Sequence, residues 1–186
     1  LIEKCVRNYD KMTTNVYRFD LIKNKSRRKL NIVFNDSEFF HLTGLHYLKD
    51  IKNYLNGKRS KIFEKLKNGE IDFDIIRDSG YYEDIESRVL LCLNLHKILT
   101  GPLEIYSYHK NAARFSRIKS DYIIKFTYDW KQGFLFIVKR DDEYFEICNC
   151  LIEDERDFCQ FMSPYGIERR IVKDKLTFDV KFKSYR

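Results

Sequence analysis

Pro102 divides this chain between two periodicities, and no other feature limits its fold as much. Upstream, Tyr82, Ile85, Val89, Leu93 and His96 recur at three- and four-residue spacing, which predicts a helix over Tyr81 to Leu99. From Val89 onward that segment is apolar almost all round, so it is expected to be the central buried helix, with His96 in the core. Thr100-Gly101-Pro102 ends it in the usual order. Downstream the period is two. Leu103 to Tyr108, Tyr122 to Tyr128, Phe134 to Lys139 and Tyr144 to Ile152 alternate, with Trp130 to Gly133 and Asp141-Asp142 as turns. Arg169 to Lys173 and Leu176 to Phe182 extend the series.

The first hundred residues add shorter elements. Leu1 to Met12 reads as a helix with Ile2, Val6 and Tyr9 on one side. Val16 to Ile22 and Lys29 to Phe34 alternate as a hairpin joined by Lys23 to Arg27. Ser60 to Lys67 is a short helix stopped by Asn68-Gly69, and Asp72 to Arg77 adds a turn. Helices followed by strands make an α+β fold: helices packed on an antiparallel sheet meander, with an N-terminal β-hairpin, in one domain over residues 1–186.

Chemistry concentrates in Phe34 to Asp50. Asn35, Asp36 and Ser37 offer N-cap oxygens, and Glu38 suits the positive end of a helix. His41, Thr43, Gly44 and His46 follow within six residues. Three of these four residues hold or move protons, and the glycine admits a close neighbour. On an unbroken helix, five residues separate His41 and His46 by about 140°. His41 then lies with Leu45 and Leu48, His46 beside Phe39 and Leu42, and one of them is a packed structural histidine. The two converge on one phosphate only if the helix breaks at Gly44. Thr43 either bonds a phosphate oxygen or the carbonyl four residues back.

Phe40-His-Leu-Thr-Gly-Leu-His-Tyr-Leu48 resembles the signature of a phage-associated group in the barnase, EndoU, colicin and RelE-like superfamily of nucleases. Ile85-Glu-Ser-Arg-Val-Leu90, Ser116-Arg-Ile-Lys-Ser-Asp-Tyr122 and Phe134-Leu-Phe-Ile-Val138 fit the same group, so the likeness runs from about Val16 to about Lys175. The resemblance implies a metal-independent RNase fold in a bacterial or phage toxin, with an immunity or antitoxin protein as a possible partner. It also marks a departure. The strand that tends in the family to end with a serine before aromatic residues reads Cys148-Asn-Cys-Leu-Ile152 here, and the acidic Glu153 to Asp157 follows it.

Cleaving RNA without metal requires a base for the 2′-hydroxyl proton, an acid for the leaving oxygen and cations for the phosphorane charge. His41 is the first candidate acid or base, with His46 and Thr43 beside it in the sequence. Arg88, on the long helix with Leu91 and Leu95, needs either a carboxylate or a bound phosphate. Lys125 shares a strand face with Ile123 and Thr127, the face on which RNA would lie. His109, Lys110, Arg114, Arg117 and Lys119, interleaved with Tyr106, Tyr108 and Phe115, read as an RNA-binding loop or as a solvated charged one.

The net charge of +7 and pI near 9.0 favour an acidic partner, although a lysine-rich composition alone gives the same excess. Five cysteines without framework spacing suggest reduced thiols and a cytoplasmic location. No run reaches the roughly 18 apolar residues of a membrane span. The start at Leu1 suggests an excerpt of a longer protein. The spacing of His41 and His46 is not that of zinc peptidases, and Cys148, Cys150 and Cys159 read as buried thiols, so neither metal nor cofactor is expected. The sequence therefore points to a metal-independent endoribonuclease acting by transesterification. Its rivals are an inactive nuclease-like fold that binds RNA and an effector that inhibits a host protein.

Overall fold

A computed structural model describes residues 1–108, 118–153 and 156–185. It divides into two compact units, residues 1–13 with 34–96 and residues 14–33 with 97–186. The first unit is helical. Its α1, Ile2–Thr13, buries Ile2, Cys5, Val6, Tyr9 and Met12, the stripe that three- and four-residue spacing demands. Tyr9 is the centre of this core: its ring meets Phe34, Phe39 and Phe63 edge-on at 5.6, 5.1 and 5.5 Å. Edge contacts of this kind contribute about 0.5–1.5 kcal/mol each beyond area burial. The Tyr9 hydroxyl donates to the Asn35 carbonyl at 3.0 Å, so its buried polar tip is satisfied.

The helices that follow are α2 (Asp36–Leu42), α3 (Arg59–Lys67), α4 (Phe73–Arg77) and α5 (Glu83–Thr100), with a 3-10 turn at Leu45–Tyr47. Asn68 and Gly69 stop α3 as their types predict, and Asp72 caps α4 by accepting from the Asp74 N–H at 2.9 Å. On α5, Ile85, Val89, Cys92 and Leu95 are buried, but His96 is exposed. The helical period identifies the face His96 shares with Ile85 and Val89. It does not say how wide the covered stripe is, and here Leu95 and Leu99 are buried while His96 between them is exposed. Among the described residues no helix is long and apolar enough to cross a membrane.

The second unit holds the sheet. Its strands are β1 (Asn15–Lys23), β2 (Ser26–Val33), β3 (Glu104–Ser107), β4 (Tyr122–Tyr128), β5 (Lys131–Lys139), β6 (Tyr144–Glu153), β7 (Gly166–Asp174) and β8 (Val180–Tyr185). They lie in the order β3-β4-β5-β6-β2-β1-β7-β8. The expected antiparallel meander is present only from β3 to β6. The hairpin β1–β2 is inserted between β6 and β7, and β2 joins β6 in parallel through Asn31 opposite Tyr144 and Ile32 opposite Phe145. The sheet is therefore mixed. Alternation and short turns identify hairpin neighbours, but no local signal specifies which strand a hairpin's free edge will join.

Two tight turns depend on their residues. Asn24 and Lys25 both have positive φ, as do Asp129 and Trp130, so each pair makes the two-residue turn whose twist matches a hairpin. The second turn thus lies at Asp129-Trp130, not at Trp130 to Gly133, and Gly133 belongs to β5. There it faces Phe126, whose ring would stand 2.3 Å from a β-carbon at that position. The glycine makes room for the ring.

On β1, β2 and β7, Tyr17, Phe19, Leu21, Leu30, Ile32 and Val172 are buried on one face. A second cluster joins Tyr106, Ile123, Phe134, Phe136, Phe158 and Cys159. Phe158 covers the sheet, its ring 5.0 Å from Phe134 and 5.1 Å from Phe136. All five cysteines are free thiols, four of them buried and Cys148 half-buried.

Candidate active site

The signature segment begins as a well-made helix and then stops. The Glu38 carboxylate accepts from the Asn35 backbone N–H at 3.2 Å and from the Asn35 amide at 2.8 Å, fixing the start of α2. The Thr43 hydroxyl is buried and donates to the Phe39 carbonyl at 2.7 Å. Thr43 thus takes the second of its two sequence readings, a bond back along its own helix. Gly44 then adopts φ of 78°, in the left-handed region, and the chain restarts as the 3-10 turn. The Gly44 N–H donates to the His41 carbonyl at 3.1 Å, and the Tyr47 N–H donates to the Gly44 carbonyl at 2.8 Å.

This break cancels the 140° separation. The imidazoles of His41 and His46 stack with centroids 4.8 Å apart and planes 16° from parallel. The Tyr47 ring lies 4.0 Å from that of His46, and Tyr47 is exposed. The Arg88 guanidinium stands over the Tyr47 ring at 5.5 Å. Gly44 makes this possible, because a β-carbon there would sit 2.9 Å from Arg88 Cδ and 3.0 Å from Ile85 Cγ2. One glycine therefore turns the chain and admits the arginine stem.

Both histidines are shifted from their ordinary pKa. Burial holds the His41 imidazole below its ordinary pKa, and the positive charges of His46, Arg59 and Arg88 add to the effect. His46 is lowered too, by burial first. A backbone hydrogen bond with Phe40 opposes the shift, while Arg88 and Arg59 reinforce it. Its Nδ1 is buried with no hydrogen-bond partner among the described residues. The charges that depress both rings are cations. Both imidazoles are thus held toward their neutral forms, with Arg88 and Arg59 adding positive charge around them.

Other sequence candidates lie elsewhere. Lys125, on β4 in the second unit, donates to Asp157 Oδ2 at 2.7 Å, and Asp157 Oδ1 accepts from the Cys159 N–H at 2.9 Å. Its strand face is not open there, because the segment carrying Asp157 and Phe158 lies over it. Tyr106 is buried and bonded to Glu104, and Tyr108 packs against the same cluster, so neither ring is offered to a base. Lys119 is exposed, and its carbonyl accepts from the Cys148 thiol at 3.6 Å. His109, Lys110, Arg114, Phe115 and Arg117 lie outside the described residues. Among the described residues no three His, Cys, Asp or Glu side chains are grouped to hold a metal.

Residues 1–177 match the family described as phage-Barnase-EndoU-ColicinE5/D-RelE like nuclease 4. The chain belongs to this family. No curated protein and no solved structure matches it. Family membership makes the chain nuclease-like and phage-related.

Sequence reasoning missed two members of the site, Tyr47 and Arg59. Tyr47 follows from the break: once Gly44 ends the helix, the residue after His46 need not lie on a helical face. Arg59 left a fainter signal. It opens α3, whose first turn holds no acidic residue, and a cation is misplaced at the positive end of a helix.

Proposed function

We propose that this chain is a metal-independent endoribonuclease, toxin- or phage-related, in which His41 and His46 act as the acid–base pair. The observation that carries the reading is the stacking of the two imidazoles at 4.8 Å beside Arg88, which the Gly44 break makes possible. His41 is the base, because burial first and the charge of His46 next disfavour a proton on it. His46 is the acid: burial lowers its pKa as well, but the Phe40 backbone opposes that shift. His41 takes the proton of the 2′-hydroxyl, and that oxygen attacks the adjacent phosphorus. Arg88 and Arg59 stabilise the dianionic phosphorane. His46 protonates the departing 5′-oxygen, giving a 2′,3′-cyclic phosphate and a free 5′-hydroxyl. Thr43 supports the turn and does not touch substrate. Lys125 and the segment from His109 to Lys119 have no step in this scheme.

A second reading, an RNA-binding fold that does not cleave, draws support from β6. The resemblance sets a serine where Asn149 or Cys150 stands here, and Cys150 is buried. One experiment separates the two. Purified protein is incubated with end-labelled RNA in EDTA, alone and as His41→Ala, and the product ends are identified. Cyclic phosphate ends that form in EDTA and vanish in His41→Ala are expected. Cleavage that stops in EDTA and returns with a divalent ion overturns the proposed mechanism, and binding without cleavage favours the second reading.

A further inference from the structure

The basic excess of this chain does not belong to the helices that carry the histidines. Residues 14–33 and 166–186 hold thirteen Lys and Arg against four Asp and Glu, a surplus larger than the +7 of the whole chain. These residues form β1, β2, β7 and β8, four neighbours in the sheet. Cross-strand partners point to the same side. Arg18 faces Asn31 and Ile171, Asp20 faces Lys29 and Arg169, and Ile171 faces Lys183. The opposite side carries the buried Tyr17, Phe19, Leu30 and Ile32, with Arg28 and Arg170 in register beside Leu21 and Phe19, so the solvent face takes Arg18, Arg27, Lys29, Arg169, Lys173 and Lys183.

That face has relief as well as charge. Arg18, Arg27, Arg28, Lys29 and Arg169, against Asp20 and Glu168, line an open groove of about 620 Å³ at one end. Asp20 bridges Arg18 Nε at 2.7 Å and Arg169 Nε at 2.6 Å, and Glu168 accepts from Arg27 at 3.0 Å. The two carboxylates hold three arginines in place and leave the groove positive. At the other end a second groove of about 360 Å³ includes Val16, Lys173 and Phe178. From Val16 to Ile22, β1 spans about 20 Å between them. Two exposed aromatic rings lie along this face, each with a lysine over it: Phe178 under Lys173 at 5.1 Å and Tyr185 under Lys183 at 4.9 Å.

We infer that the solvent face of β2, β1, β7 and β8 is a binding surface for single-stranded RNA, on which lysines and arginines hold phosphates and Phe178 and Tyr185 stack bases. Interleaved cations and flat exposed rings suit a single strand better than an acidic protein, which needs the charges but not the rings. The inference shares its substrate class with the nuclease reading but uses different residues, and its test does not require cleavage.

The probe is a labelled 2′-O-methyl RNA of about 12 nucleotides, within the range one such surface covers. It lacks the attacking hydroxyl, so a transesterifying enzyme leaves it intact. Binding to the full chain is followed by anisotropy over a salt series. Lys29→Gln with Lys183→Gln should weaken binding about tenfold and lower the salt slope by about two. Phe178→Ala with Tyr185→Ala should cost about tenfold with the slope unchanged, since stacking releases no counterions. Lys4→Gln with Lys52→Gln, exposed lysines of the helical unit, should change little. Equal loss in that control pair overturns the proposal, because charge anywhere would then suffice. Competition by polyglutamate as effective as by RNA also overturns it, in favour of an acidic protein partner.

Discussion

Gly44→Ala tests whether one glycine builds the site. Two costs apply. At φ of 78° a β-carbon meets the following carbonyl oxygen, which costs about 1–2 kcal/mol. The new methyl would also stand 2.9 Å from Arg88 Cδ, 3.0 Å from Ile85 Cγ2 and 3.2 Å from Tyr47 Cδ2. Ile85 is fully buried, so the strain is relieved mainly by moving Arg88 and Tyr47. Overpacking of this size costs about 1–3 kcal/mol. The total destabilisation is about 2–5 kcal/mol.

Gly69 supplies the control. Its φ is 74°, but a β-carbon there would meet nothing within 4 Å. Gly69→Ala should therefore carry the backbone cost alone, and any gain from stiffening the unfolded chain is common to both variants. Urea unfolding of the two variants gives a difference of about 1–3 kcal/mol, which is the close approach at Gly44. RNA cleavage should fall sharply in Gly44→Ala, through the displaced guanidinium, and stay near wild type in Gly69→Ala. Equal unfolding midpoints, or full cleavage by Gly44→Ala, would refute the argument that the glycine seats Arg88.

Stability should also depend on pH through the two histidines. Both are held below the ordinary histidine pKa in the folded chain, so the unfolded chain takes up protons first as pH falls below about 6.5. Their contribution is complete above that value and lost as pH drops through the folded values. The wild-type urea midpoint should thus fall between pH 7 and pH 5 more steeply than that of His41→Gln with His46→Gln; parallel curves would count against the shifts. Burial pushes the Cys148 thiol up to about 11 and the Cys159 thiol up to about 12. A thiol reagent at pH 8 should therefore label both slowly in the native protein and quickly in urea, and fast native labelling would show them to be exposed.

Much of the fold was legible because its signals are local. The stripe of α1, the stop at Asn68-Gly69 and the alternation of β4 each follow from spacing and turn chemistry within a few residues. The errors share one cause, which is that they depend on partners distant in sequence. Nothing near Ser26 to Val33 announces a parallel neighbour more than a hundred residues away at Tyr144. Gly133 looks like a turn residue until Phe126 is known to lie across it. His96 has the right phase for a core position and lacks only the cover. Lys125 alternates correctly and still fails as an open-face lysine, because Asp157 and Phe158 come from a later segment.

The site was legible only as a condition. Composition showed two histidines and a glycine in one helical segment, and helix geometry said that they could not cooperate there. Gly44 resolves the conflict by ending α2 after two turns and restarting the chain with His46 turned under His41. A sequence that keeps a strong helix start, with Asn35 and Glu38 capping it, and then spends a glycine in its middle violates its own local rule. Such violations persist where function depends on them. The same residue lets the Arg88 stem pass against the backbone, so the break and the cation arrive together. The spacing that argued against a shared phosphate on an ideal helix is thus, once Gly44 breaks it, the spacing that stacks the two imidazoles.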